Sequence, residues 1–278
     1  MKQAKALFLI FFLFLMSSVN AGAVTITPFD NSDNMAQTLL GTGITIVGTS
    51  YTGANEASGY FSDGLLSGLE IDKGILLTSG FALNANGTVN TSDSITGNNN
   101  LPGSSILDDL IPGYETFDAT ILSIDFQSSG ENAYFNYIFA SDEYNEYVDS
   151  SFNDVFGFFM NDINYALIPG TQTPVSINNV NNNRNSSFYF DNENGDYMFE
   201  YDGFTSMFTV NINDLTPGET YNLKLAIADA GDYAYDSGVF IQAGSFSNTL
   251  DPVPEPSTLI LFGLGILGLC SFMRKKQN

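Results

Sequence analysis

The chain has 278 residues, with 31 acidic against 8 basic side chains, no histidine and one cysteine, Cys270. A formal charge of −23 disfavours nucleic acid and anionic lipid headgroups as partners. The missing histidine removes Ser-His-Asp and Cys-His catalysis and imidazole-based zinc sites, and the lone cysteine leaves no internal disulfide. A hydrophobic content of 44% with 24 Phe and 14 Tyr supplies enough apolar surface for a packed core rather than a disordered chain.

Lys2 and Lys5 precede an apolar run from Ala6 to Met16 and a small-residue stretch ending at Ala21-Gly22-Ala23. This is the layout of a signal peptide over residues 1–23. Asp33 to Leu40 has room for two helical turns capped by Ser32 or Asp33. Ile44 to Tyr51 is β-branched and Gly74 to Gly80 is a short apolar run between glycines, so both predict strands. Gly103 to Leu110 predicts a second short helix. In Ala119 to Gln127, Leu122, Ile124 and Phe126 alternate with Ile121, Ser123 and Asp125, and in Asn132 to Ala140 Phe135, Tyr137 and Phe139 share a face. Val155 to Met160 and Met207 to Ile212 are further strand candidates. Thr216-Pro217-Gly218 marks a reversal, after which Tyr221, Leu223, Leu225 and Ile227 alternate with polar or small residues; Val239 to Phe246 closes the series. Many strands and few helices predict an all-β, two-sheet β-sandwich of jelly-roll type over residues 24–246.

Residues 247–257 read as a polar linker carrying Val253-Pro254-Glu255-Pro256-Ser257, followed by an uncharged run from Thr258 to Met273 and a basic end, Arg274-Lys275-Lys276. The run is short for a bilayer span but serviceable with snorkelling flanks. The basic end keeps residues 274–278 cytoplasmic and everything before the run outside. Five of the eight basic residues thus belong to the two terminal segments, and only Lys73, Arg184 and Lys224 remain for the exported body. So acidic a body needs cations, and calcium is the natural one outside a cell.

Two acidic segments lie between predicted strands. The first contains Asp142, Glu143, Glu146, Asp149 and Asp154; the second contains Asp229, Asp232 and Asp236. Oxygen-rich loops of this kind suit calcium, against the plainer alternative of solvated acidic turns. The two segments make one site if they occupy the same end of the sandwich. Asp191 to Asp196 lacks the order of an EF-hand loop and reads as a turn. Asp125 is either a buried ligand or a solvent-facing strand residue.

The Pro-Glu-Pro motif, short apolar run and basic end together resemble the PEP-CTERM sorting signal of Gram-negative bacteria, which implies export through the Sec machinery, recognition by an exosortase, a transient hold in the inner membrane, and a final place at the cell surface or outside. The body resembles the choice-of-anchor L domain over most of residues 37–246. That resemblance is carried by Gly74 to Gly80, Asp118-Ala119, the Phe139 to Tyr144 run, Phe152 to Phe159, Tyr201 to Thr205, Leu225 to Asp229 and Asp236-Ser237. It implies a surface protein and transfers no catalytic residues. The expected function is a non-catalytic, calcium-binding surface or matrix protein that meets anionic exopolysaccharide through calcium, as in biofilm adhesion. The alternatives are a carbohydrate-binding module stacking sugars on Tyr144, Tyr147, Tyr233 and Tyr235, an ice-binding or adhesin protein, and a glycoside hydrolase using a carboxylate pair.

Overall fold

A computed structural model of the chain describes residues 22–250 apart from residue 88. Residues 1–21 of the expected signal peptide, the Pro-Glu-Pro motif and the expected membrane run lie outside the described residues. Among the described residues, no helix is long and apolar enough to cross a membrane.

The elements follow in chain order as β1 (Thr25–Pro28), α1 (Ser32–Leu39), β2 (Ile44–Thr52), β3 (Ser58–Ser62), α2 (Gly64–Ser67), β4 (Gly74–Thr78), α3 (Ser105–Asp108), β5 (Thr116–Ser128), β6 (Ala133–Ser141), β7 (Val155–Met160), β8 (Ile163–Asn164), β9 (Tyr189–Asp191), β10 (Gly203–Thr205), β11 (Phe208–Ile212), β12 (Thr220–Ala230) and β13 (Ser237–Gln242). One sheet runs β1-β3-β4-β13-β6-β10-β9, with β11 also paired to β6; the other runs β2-β5-β12-β7-β8. The named strands pair antiparallel, so the molecule is the expected two-sheet sandwich. The helix cap differs from expectation. Asn31 caps α1, its side chain accepting from the Asn34 backbone N–H at 2.9 Å, so the helix begins at Ser32 and the cap sits one residue earlier than the sequence suggested.

The alternation read from the sequence is the inner face of each sheet. Phe135, Tyr137 and Phe139 of β6 meet Phe156 and Phe158 of β7 and Leu223 and Leu225 of β12 in the central core, which Met35 and Leu39 of α1 close. Two smaller clusters lie elsewhere: Leu76, Ile138, Ala140 and Phe240 pack with Phe199 and Phe204, and Ala226, Ala228 and Phe159 pack with Leu107 and Ile111. Parts of the central strands are thus buried on both faces. That is why β4 and β7 read as continuous apolar runs rather than alternating ones.

Of the several places where the chain changes sheets, two bear on the site: β6 to β7 and β12 to β13. In the larger sheet β13 pairs with β6, placing Ser237 opposite Ser141. In the smaller sheet β12 pairs with β7, placing Ala228 opposite Val155. Both crossings therefore occur at the same end of the sandwich, side by side.

Phe135 is fully buried, with its ring 4.2 Å from that of Phe246 and 4.7 Å from that of Phe158. Truncating it removes a large apolar group and leaves a cavity between the sheets. Phe135→Ala should cost about 3–5 kcal/mol, read as a lower urea midpoint with an unchanged slope.

A buried carboxylate cluster where the chain crosses between sheets

The two crossings bring the two acidic segments together. Asp142 directly follows β6, Asp154 directly precedes β7, Asp229 is the penultimate residue of β12, and Asp236 directly precedes β13. All four are at most 2% exposed. Backbone and side-chain bonds stitch them to one another. Asp142 N–H donates to the Asp236 carbonyl at 3.1 Å. Asp154 accepts from the Ala230 N–H at 2.8 Å through Oδ1 and from the Ser237 hydroxyl at 2.7 Å through Oδ2. Asp236 Oδ2 accepts from the Gly97 N–H at 2.7 Å. Asp236 also lies so close to Gly80 that a Cβ there would stand 1.6 Å from Oδ2, so glycine is required at position 80 for the carboxylate to lie where it does.

Several of these oxygens lack a well-formed hydrogen bond. Both Asp229 oxygens, Asp236 Oδ1, Asp142 Oδ1, Glu143 Oε2 and Asp202 Oδ2 are buried without a hydrogen bond of good geometry, although the Ser79 hydroxyl lies near Asp229, the Phe81 N–H and Asn84 amide near Asp236, and the Asp202 N–H near Asp142. Buried polar atoms are normally satisfied, and an unpaired buried carboxylate is among the more expensive groups a fold can hold. No basic side chain answers them. Arg184 pairs with the exposed Asp149 at 3.1 Å and Lys224 with the exposed Asp162 at 2.9 Å, not with the buried carboxyls, and Lys73 is exposed. Among the described residues, no three acidic side chains form a ready-made metal centre.

The eight residues singled out from the sequence divide accordingly. Asp142, Glu143, Asp154, Asp229 and Asp236 gather at the crossing. Asp149 is drawn to the surface by Arg184, Glu146 is exposed, and Asp232 is half-buried, accepting from the Ala234 N–H at 3.0 Å in its own turn. Asp125 is the half-exposed strand residue of the two readings, accepting from the Asn222 amide at 2.7 Å. Asp118, Glu200 and Asp202 are buried acids that sequence reasoning passed over. Asp118 and Glu200 are satisfied locally, by Asn99 and Leu101 N–H groups and by Thr91 respectively. Asp202 is not. Of the tyrosines named as sugar platforms only Tyr144 is closed off, while Tyr147, Tyr233 and Tyr235 stay partly exposed. Tyr144 is fully buried with its hydroxyl donating to the Val180 carbonyl at 2.6 Å, Tyr147 packs on Phe152 and Tyr235, and Tyr233 packs on Phe117.

Comparison with known proteins identifies two families along the chain. Residues 25–247 match the family model of the choice-of-anchor L domain, and residues 252–276 match that of the PEP-CTERM protein-sorting motif. Neither the curated proteins nor the solved structures contain a match to the chain.

Burial pushes every carboxyl of the cluster upward, and mutual repulsion adds to it. Asp142 is raised well above the usual range by burial, with Asp202 and Asp236 adding to it; Asp229 by burial, with Asp154 and Asp236. Burial also raises Asp154, despite its two donors, and Glu143. Asp236 and Asp202 are each pushed up to about 7, mainly by burial. A carboxyl raised in the fold holds its proton where the unfolded chain has lost it, so stability falls as pH climbs from about 4 through the folded value. In chelator, the melting temperature should therefore drop steadily between pH 5 and pH 8, as followed by circular dichroism. A flat profile would mean that these groups are solvated.

Proposed function

Because the chain belongs to the choice-of-anchor L family and ends in a sorting motif processed by exosortase, we propose that it is a non-catalytic surface protein whose sandwich is fastened by calcium at the crossing between sheets. Export, a transient membrane hold and an extracellular or surface destination follow from the motif. The role of calcium rests on one observation: buried carboxylates from both crossings converge with unpartnered oxygens and no basic side chain to answer them. The donor set is hard oxygen throughout, which is what calcium takes, in six to eight contacts of flexible geometry. Asp142, Asp229 and Asp236 would supply free oxygens, with Glu143 beside them. Asp154, whose oxygens are already occupied, would hold the Ser237 and Ala230 ends in place. An ion here would tie β6 to β7 and β12 to β13, and so one sheet to the other.

The remaining acidic surface would meet anionic exopolysaccharide through further calcium, since direct contact between two polyanions is repulsive. A hydrolytic reading has less support. Glycosidases need two carboxylates accessible to a sugar, whereas the cluster at the crossing is closed to solvent.

Calcium bound only by the fold stabilises it by about 2.7 kcal/mol at a hundredfold excess over Kd. At about 2–4 °C per kcal/mol for a domain of this size, the melting temperature at pH 7.5 should rise by about 5–10 °C on adding calcium. Asp229→Asn should abolish most of that rise while leaving the calcium-free protein as stable or more so, because it removes a buried carboxyl that the fold must hold protonated where the unfolded chain ionises it. No calcium-dependent rise in the unaltered protein would end the proposal. Replacing Pro254, Glu255 and Pro256 together by alanine should leave the chain in the membrane fraction instead of releasing it to the surface or medium, as read by fractionation and blotting.

A further inference from the structure

Beside the crossing, a cavity of about 370 Å³ opens to solvent, and four carboxylates line it: Asp93, Glu146, Glu193 and Asp202. The segment Asn90–Ser92 completes the wall with an amide and two hydroxyls. These residues come from three distant parts of the chain, so the cavity is a product of the fold rather than of one acidic loop. Hydrogen bonds hold its walls together. The Asn90 amide donates to Asp202 Oδ1 and to the Asn192 carbonyl, and the Thr91 N–H donates to Glu200 at 2.8 Å, fixing the first segment on the β9–β10 connection. The Asn145 N–H and amide both donate to Glu193 Oε1, at 3.0 and 2.9 Å, tying the β6–β7 crossing to that connection.

Asp202 distinguishes this cavity from a solvated acidic rim. It is only 1% exposed, lines the cavity, and has one oxygen, Oδ2, that meets no donor. The other three carboxylates are exposed and come from the rim. No lysine or arginine enters the wall. The space is larger than a single ion needs, leaving room for the waters or outer hydroxyls that an open cation site keeps.

We propose that this cavity is a second divalent-cation site, separate from the calcium at the crossing, which binds calcium through Asp202 at its floor and Asp93, Glu146 and Glu193 at its rim. The buried Asp202 oxygen and the rim oxygens provide hard ligands on one side. The solvent side stays open, so bound calcium keeps coordination positions for an oxygen-bearing exogenous ligand. Three of the four carboxylates are exposed, and a glutamine at position 193 keeps the oxygen that accepts from Asn145.

The test is equilibrium dialysis of the full-length chain in detergent with radioactive calcium, alongside terbium(III) luminescence excited through tyrosine, since Tyr189 bonds Asn145 at 2.6 Å and so stands next to Glu193. The unaltered protein should show calcium in this class with terbium emission that calcium displaces. The triple variant Asp93→Asn, Glu146→Gln, Glu193→Gln should lose one calcium per chain, or weaken it at least tenfold, and lose most of the terbium signal, with its circular dichroism spectrum unchanged. Asp202→Asn should do the same. Asp229→Asn, which acts on the crossing, should keep this ion, so failure at one place is separable from failure at the other. Calcium stoichiometry, affinity and terbium emission all unchanged in the triple variant and in Asp202→Asn would overturn the proposal.

Discussion

The structure depends on how it accommodates buried negative charge at the end of the sandwich where β6 crosses to β7 and β12 crosses to β13. Four aspartates stand at or beside the strand ends that begin or finish the crossings, and they are buried because the core continues up to them: Val155 follows Asp154, Ala228 precedes Asp229, and both are fully buried. Moving a carboxylate away from the core would mean shortening a central strand. Exposing the cluster would mean unpairing Ser141 from Ser237. The charge is therefore built into the topology. The fold either keeps protons on these groups or neutralises them with a cation, because the described part of the chain has three basic side chains and none is paired with the buried aspartates. Cys270, the only cysteine, lies in the apolar run near the C-terminus, so no disulfide can share the task of holding the sheets together.

Much of the sandwich was legible in the sequence. The period-two patterns of β5, β6 and β12 are one-sided enough that their inner faces could be named outright, since a slip of one residue would expose Phe126, Phe135 or Leu223. The strands that escaped notice are short: β1, β3, β9 and β10 lie in the outer part of the larger sheet, and β8 lies at the edge of the smaller one. In the outer part of the larger sheet partial burial blurs the alternation: Tyr60, Tyr189 and Phe190 are only half-buried. The acidic segments were visible, but their meeting was not. Their proximity follows from the pairing of β13 with β6 and of β12 with β7, which no local pattern encodes. Asp202 was hidden for a local reason. It follows Glu200 by two residues, at the end of a segment whose earlier acids, Asp191, Glu193 and Asp196, read as a turn, so nothing local set it apart as a buried group. Gly80, one end of a strand-like run, gave no hint that it makes room for a carboxylate 156 positions away.

Magnitudes decide what neutralises the cluster. Net stability of a domain is about 5–15 kcal/mol, and each uncompensated buried charge costs several kcal/mol. Five residues carrying orphaned oxygens could therefore not all stay ionised and bare without consuming the stability that the aromatic core provides. Protons relieve the cost below about pH 7, where Asp202 and Asp236 are neutral in the fold. Above it Asp202 and Asp236 lose that relief and a cation takes over from the proton, and binding one expels the protons the other carboxyls still hold. Proton and cation thus compete for the same oxygens, so that the fastening between the sheets is set by the ionic surroundings rather than by covalent chemistry. An acid-rich, cysteine-poor sandwich is economical only where divalent cations are abundant, and the sorting motif carries this one to such surroundings.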